Sequence, residues 1–147
     1  MSKNIIFTIG FAKKNAKTFF SKLRDVGVTR LVDVRLNNVS QLAGFAKRDD
    51  LNFFLKELCH CDYNHIPDFA PTKGILDAYK KKEIDWAEYE SRFNELIKKR
   101  KIENMISEKN LNNSCLLCSE PTPEQCHRRL VAEYLKKQFK NIEIKHL

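Results

Sequence analysis

The spacing of hydrophobic residues changes along the chain, and each change marks an element. IIFTI at 5–9 is an unbroken apolar run with β-branched residues, closed by Gly10, which predicts a buried strand. Asn15 then opens a stretch in which Phe19, Phe20, Leu23 and Val26 recur at helical spacing, and Gly27 supplies a C-terminal stop. VTRLVDVR at 28–35 reads as a second strand. Strand, helix and strand in such short succession predict a βαβ unit, two parallel strands joined by a right-handed crossover.

A helix over 50–59, capped by Asp49, places Leu51, Phe54, Leu55 and Leu58 on one face. CDYNHIP behind it, stopped by Pro67, suits an edge strand, and 67–74 is loop. Helices follow over Ile75–Lys82 and from Trp86 toward Glu108, the second marked by Trp86, Tyr89, Phe93, Leu96 and Ile97. The turn cluster NLNN precedes a strand at Ser114–Cys118, a helix from Pro123 to Phe139 and a last strand at Ile142–His146. This alternation predicts one three-layer α/β domain over 1–147, a mostly parallel five-stranded sheet with helices on both faces. With strand order 3-2-1-4-5, the first and fourth strands would meet where the connections reverse direction, at the carboxyl ends where such sheets bind ligands.

Composition narrows the class. A chain of 147 residues buries roughly two-thirds of its unfolded surface and needs no staples. Five cysteines, an odd number, and a start, MSKNIIFTIG, without a signal-peptide pattern lead to the expectation of a reduced, cytoplasmic protein. No run approaches the roughly 18 apolar residues of a membrane span, so no membrane partner is expected. The net charge of +8 raises the prospect of a polyanionic partner. Its runs at 80–82, 98–101 and 136–137 fall on helices without interleaved aromatics, as solvated faces do.

The densest chemistry is LLCSEPTPEQCHRR at 116–129. Thr122, Pro123 and Gln125 fit an N-cap, a first helical position and a capping box, and so have a structural explanation. Cys126, His127 and Arg128 would then occupy the first turns, where unpaired N–H groups favour an anion and lower a thiol's pKa. Cys118 and Glu120 share a face at a strand's end as candidate nucleophile and proton carrier; the alternative for Cys118 is a small buried hydrophobe. Adjacent Cys126 and His127 diverge by about 100° on a helix, so any dyad would join one of them to Cys118 or Glu120. Asp33 and Arg35 share a strand face, either as an internal ion pair or with Arg35 free to bind phosphate through its fork. His65 ends the edge strand and reaches toward the same rim, with a structural role equally open.

Spacing excludes several chemistries. SEPTPE after Cys118 lacks the arginine that a phosphatase-like or rhodanese-like phosphate loop needs. The glycines, Gly10, Gly27, Gly44 and Gly74, form no dinucleotide fingerprint or P-loop. Cys115 and Cys118 spell C-x-x-C but point to opposite faces of a strand. Neither Cys118, Cys126 and His127 nor Cys59, Cys61 and His65 has the paired spacing of a zinc module, so no metal or other cofactor is expected.

TIGF at 8–11, LVDVR at 31–35, GFAK at 44–47, YNHIPDFAPTK at 63–73, DAYKKKEIDWAEYESRF at 77–93 and LLCSEPTPEQCHRRLVAEYL at 116–135 together resemble the family catalogued as domain of unknown function 488. The resemblance implies a compact α/β domain of bacterial or archaeal type and no established reaction. It also implies signature positions at Gly10, Asp33, Arg35, His65, Cys118, Glu120, Cys126, His127 and Arg128. Where family members commonly carry a proline shortly after Asp-x-Arg, this chain has Asn37 and Asn38. The resulting expectation is an enzyme with Cys118, Glu120, Cys126 and His127 as catalytic groups. Gly10, Asp33, Arg35, His65 and Arg128 would bind a phosphate-bearing small molecule or nucleic acid. The rival expectation is a nucleic-acid-binding module without chemistry.

Overall fold

The computed structural model describes residues 3–38, 44–120 and 122–147. Five strands, β1 (Asn4–Gly10), β2 (Arg30–Asp33), β3 (Asp62–His65), β4 (Ser114–Cys118) and β5 (Ile142–His146), form one sheet in which every pairing is parallel. Among the described residues six helices flank it: α1 (Ala16–Val26), α2 (Arg48–Cys59), α3 (Lys73–Lys80), α4 (Trp86–Arg100), α5 (Glu108–Leu111) and α6 (His127–Gln138). Residues 1–2, 39–43 and 121 fall outside the described set. Among the described residues no helix is long and apolar enough to cross a membrane.

Local signals place most boundaries. Asn15 Oδ1 accepts the Thr18 N–H at 2.8 Å to start α1, and Gly27 ends it in the left-handed region at φ 78°. Thr72 and Asp85 cap α3 and α4 in the same manner. β2 is shorter than the expected 28–35, α3 starts and ends two residues before the expected Ile75–Lys82, and three further boundaries differ for local reasons. Lys47, not Asp49, precedes α2; Asp49 and Asp50 lie inside its first turn, where their carboxylates face the positive end of the helix dipole. α4 stops at Arg100 because Lys101 turns left-handed, and Ile102 is then buried in a short 3-10 turn, Ile102–Asn104, instead of continuing the helix to Glu108. α6 begins at His127 rather than Pro123, since Cys126 is extended at φ −137° and ψ 138°.

The sheet order is β3-β2-β4-β1-β5, which corrects 3-2-1-4-5 by placing β4 between β2 and β1. All five residues of β4 are buried, as a strand flanked on both edges and covered on both faces requires, whereas β3 alternates with exposed residues as an edge. β1 and β4 remain neighbours, with Gly10 opposite Cys118. The corrected order moves the reversal point. From β2 the chain leaves through α2 toward the β3 edge, and from β4 it leaves through α6 toward the β5 edge. Right-handed crossovers put those helices on opposite faces, so the crevice opens between the carboxyl ends of β2 and β4.

Two apolar layers hold the sheet. On one face Phe19, Phe20, Leu23, Leu51 and Leu55 of α1 and α2 cover Phe7, Ile9, Leu31, Cys115 and Leu117. On the other, Tyr89, Phe93 and Ile97 of α4 and Leu130, Val131 and Leu135 of α6 cover Ile6, Val32, Leu116 and Cys118. Cys115 and Cys118 thus belong to opposite layers, as the period of two demands. Ile97 is fully buried in the apolar layer between α4 and the sheet. Ile97→Ala should therefore lower unfolding free energy by roughly 2–5 kcal/mol, read by urea denaturation, without changing ligand binding.

Candidate functional site

The site rests on a buried guanidinium. Arg128, at the second position of α6, is 0% exposed. Its Nε donates to Thr8 Oγ1 at 3.3 Å, and its Nη1 donates to Cys118 Sγ at 3.1 Å and to the Glu120 carbonyl at 2.6 Å. Among the described residues no carboxylate pairs with it, and Nη2 is buried without a partner. Burial accordingly lowers its pKa. Thr8 Oγ1 also lies 2.5 Å from His146 Nδ1, tying this cluster to β5. Gly10 is indispensable in this arrangement, because a Cβ there would collide with the Glu120 carbonyl and lie 2.9 Å from Arg128 Nη1.

Arg35 solves burial differently. It is 3% exposed, its Nε and Nη2 grip Asp33 Oδ1 and Oδ2 at 2.8 and 2.7 Å, and its own N–H donates to Oδ1 at 3.1 Å. The internal ion pair is thus the arrangement found, in the fork-to-fork form that suits guanidinium and carboxylate. Tyr63 donates its hydroxyl to Asp33 Oδ2 at 2.6 Å, and Asn38 donates to the Tyr63 hydroxyl at 3.1 Å. Burial, then the Asp33 hydrogen bond, push the Tyr63 pKa up, so it stays a donor. His65 Nε2 meets the Arg35 carbonyl at 2.7 Å, and the Phe11 ring lies 5.4 Å from the guanidinium carbon. Arg35 Nη1 is left buried without a partner, while the residue lines the crevice.

That crevice is a cavity of about 410 Å³ at the ends of β2 and β4. Arg35, Cys118, Glu120, Cys126 and His127 line it. Asp33, His65, Gly10 and Arg128 do not; they position or support the residues that do. The sulfurs of Cys118 and Cys126 lie against each other in the cavity wall, with Cα atoms 7.5 Å apart, wider than a relaxed disulfide spans. Cys59, Cys61 and Cys115 are free thiols. The extended backbone at Cys126 is what sends its side chain across to β4.

His127 spans the crevice. Its Nε2 lies 2.6 Å from the Val34 carbonyl beyond β2, and its ring packs edge-on against Phe93 at 5.6 Å. A carbonyl accepts only, so Nε2 carries the proton and the lone pair of the neutral ring sits on Nδ1. Burial lowers its pKa to about 4, with the Val34 bond opposing and the nearby Arg128 charge adding to the fall. His127 is therefore neutral at pH 7.

The opposite wall is one that sequence spacing did not reveal. Tyr79, Lys80, Trp86 and Tyr89 line the cavity, together with Leu36, Asn37, Leu76, Ser119 and Gln125. Trp86 stacks on Tyr89 at 4.7 Å, Tyr79 meets Trp86 edge-on at 5.7 Å, and the Tyr79 hydroxyl donates to Gln125 Oε1 at 3.3 Å. Tyr79 and Lys80 end α3 while Trp86 and Tyr89 begin α4, so the two helices present their aromatics to the crevice at their shared corner. A second, apolar hollow of about 250 Å³ between α1 and α2, lined by Phe20, Phe54 and Leu58, has no cysteine, histidine or carboxylate. Among the described residues no three His, Cys, Asp or Glu side chains gather as a metal-ligand set.

A family model described as domain of unknown function DUF488 matches residues 15–135. No curated protein and no solved structure matches the chain.

Two outcomes follow from this geometry. Gly10→Ala should lose several kcal/mol of stability, since backbone rather than a flexible side chain fills the space; thermal unfolding reads it. The His127 effect has a definite sign. A folded-state pKa of about 4 against the ordinary 6.5 means that the unfolded chain binds the extra proton first. Stability is then full above pH 6.5 and falls by up to roughly 3 kcal/mol as pH drops toward 4. Denaturation midpoints across that window should show the slope, and His127→Gln should flatten it.

Proposed function

The chain belongs to the family of domain of unknown function 488, whose description names no reaction, and from the site geometry we propose an enzyme acting on a phosphate-bearing substrate, a nucleotide or nucleic acid, between the ends of β2 and β4. The observation that carries this reading is the composition of one cavity. The cationic residues Arg35 and Lys80, a sulfur pair and a neutral histidine line about 410 Å³ together with a stacked aromatic wall. That volume suits a mononucleotide-sized ligand.

Each part has a physical role in the proposal. The Arg35 guanidinium and the Lys80 ammonium supply the positive charge that draws the phosphate; the Asp33 clamp fixes the guanidinium plane so that little rotamer entropy is lost on binding. The aromatic corner of Tyr79 and Trp86 takes a planar base, whose face stacks irrespective of identity. In the reduced protein Cys118 is the nucleophile. Arg128, buried without a carboxylate, gains a counter-charge when the Cys118 thiol ionises, so their 3.1 Å contact favours the thiolate. His127 Nδ1 and the exposed Glu120 carboxylate move protons to and from the leaving group.

The +8 charge favours the second reading, a module that binds nucleic acid without chemistry. One titration separates them, because Trp86 is the sole tryptophan and lines the cavity. Nucleoside monophosphates added to the reduced protein should quench its fluorescence with a shallow salt dependence, and Lys80→Ala should weaken binding by about 10-fold, the worth of one charge-assisted contact. Absence of quenching by any mononucleotide, with polynucleotide binding that falls steeply against log salt, would overturn the enzyme reading in favour of the module.

A further inference from the structure

Cys118 and Cys126 come from different elements, the last residue of β4 and the N-cap of α6, yet their sulfurs meet at the cavity. The N-cap position normally carries an oxygen side chain that serves the first helical N–H groups. Here it carries a thiol that makes no cap bond and turns to Cys118 instead. The local cost is taken in exchange for the pairing. Arg128 adds the second feature: a buried guanidinium whose one ionisable acceptor is Cys118 Sγ, with Nη2 unpartnered beside it. Among the described residues the other three cysteines make their hydrogen bonds to backbone carbonyls and not to a guanidinium. Burial pushes the Cys61 thiol up to about 12 and raises those of Cys59 and Cys115.

We propose that Cys118 and Cys126 are a working redox couple that reduces small hydroperoxides, an activity that shares Cys118 with the phosphate-substrate reading but does not depend on it. The Cys118 thiolate attacks the distal oxygen of the hydroperoxide. The O–O bond breaks, Cys118 becomes a sulfenic acid, and the alkoxide takes a proton and leaves as an alcohol, or as water from hydrogen peroxide. The Cys126 thiolate then attacks the sulfenic sulfur, the S–S bond forms, and hydroxide leaves as water after taking a proton. Two equivalents of a low-molecular-weight thiol supply the two electrons and two protons that restore both cysteines, and become a disulfide themselves. Exposures of 2% for Cys118 and 3% for Cys126 select the oxidant, since a hydroperoxide enters the cavity whereas a protein disulfide cannot align with so deep a sulfur. In the oxidised state neither sulfur is a nucleophile, so any other chemistry at Cys118 pauses until reduction.

The test is to treat the reduced protein with one equivalent of hydrogen peroxide and map its peptides. A Cys118–Cys126 linkage, reversed by added thiol, is expected. Cys126→Ser should trap a sulfenic acid at Cys118 as its dimedone adduct, Cys118→Ser should give no adduct, and Arg128→Lys should slow the peroxide step by about 10-fold or more. Failure of folded wild-type protein to form the linkage, or dimedone labelling at Cys59, Cys61 or Cys115 in place of Cys118, would overturn the proposal. Trp86 quenching by mononucleotide, measured on the reduced wild-type protein with no peroxide added, tests the phosphate reading separately, because it reads binding at Arg35, Lys80 and the aromatic wall without turning over the redox couple.

Discussion

A guanidinium buried beneath the ends of β1 and β4, with no carboxylate paired to it among the described residues, sets the terms for much of the surrounding structure. Removing such a charge from water is expensive, and hydrogen bonds to a hydroxyl, a sulfur and a carbonyl offset the expense only in part. Arg128 needs the Glu120 carbonyl at close range, the carbonyl needs the space that a side chain on residue 10 would fill, and so Gly10 ends β1. Thr8 supplies the third acceptor and passes the network on to His146 in β5. Three strands are thereby tied at one end of the sheet around a single positive charge. A thiolate at Cys118 compensates that charge most directly.

The other buried arginine shows what a purely structural solution looks like. Arg35 is matched by Asp33 in a bidentate pair, Tyr63 and Asn38 extend the network from Asp33, and His65 meets the Arg35 carbonyl. Replacing a whole buried pair by apolar residues often costs little, whereas removing one partner costs much. The Asp33–Arg35 pair is therefore weak evidence for stability on its own. Its use lies in orientation: with two of its nitrogens committed, the guanidinium plane is fixed where Arg35 lines the crevice.

Periodicity made the elements legible and left their order open. The β-branched runs and the spacing of Phe19, Phe20 and Leu23 specify strands and helices because local burial demands those periods. Strand order is a different kind of fact, decided by which strand can tolerate neighbours on both edges. SCLLC at 114–118 was apolar enough for the centre, but IIFTI at 5–9 competed for it, and both in fact lie inside the sheet. The aromatic wall escaped notice for a related reason. Trp86 and Tyr89 recur at a spacing that a helix buried in the core also shows, and only the corner between α3 and α4 decides that their rings face a cavity. The candidate residues of 116–129 stood out because cap chemistry could not account for them, though their division into lining and supporting roles required Arg128 to be seen beneath the floor.

The displaced start of α6 joins these threads. Thr122, Pro123 and Gln125 satisfy every local rule for a helix beginning at Pro123, and the Cys126 N–H does bond the Pro123 carbonyl at 3.3 Å, but as a single turn. Had the helix begun there, Cys126 and His127 would have been helical and diverging, with neither directed to both strands at once. Starting at His127 leaves Cys126 extended, so its sulfur reaches β4 while the His127 ring reaches the Val34 carbonyl after β2. One residue's backbone conformation thus lets two consecutive side chains bridge the two strands whose divergence opens the cavity. A local preference for capping yields to tertiary contacts at the place where the chemistry is concentrated, as consistency arguments lead one to expect of functional sites.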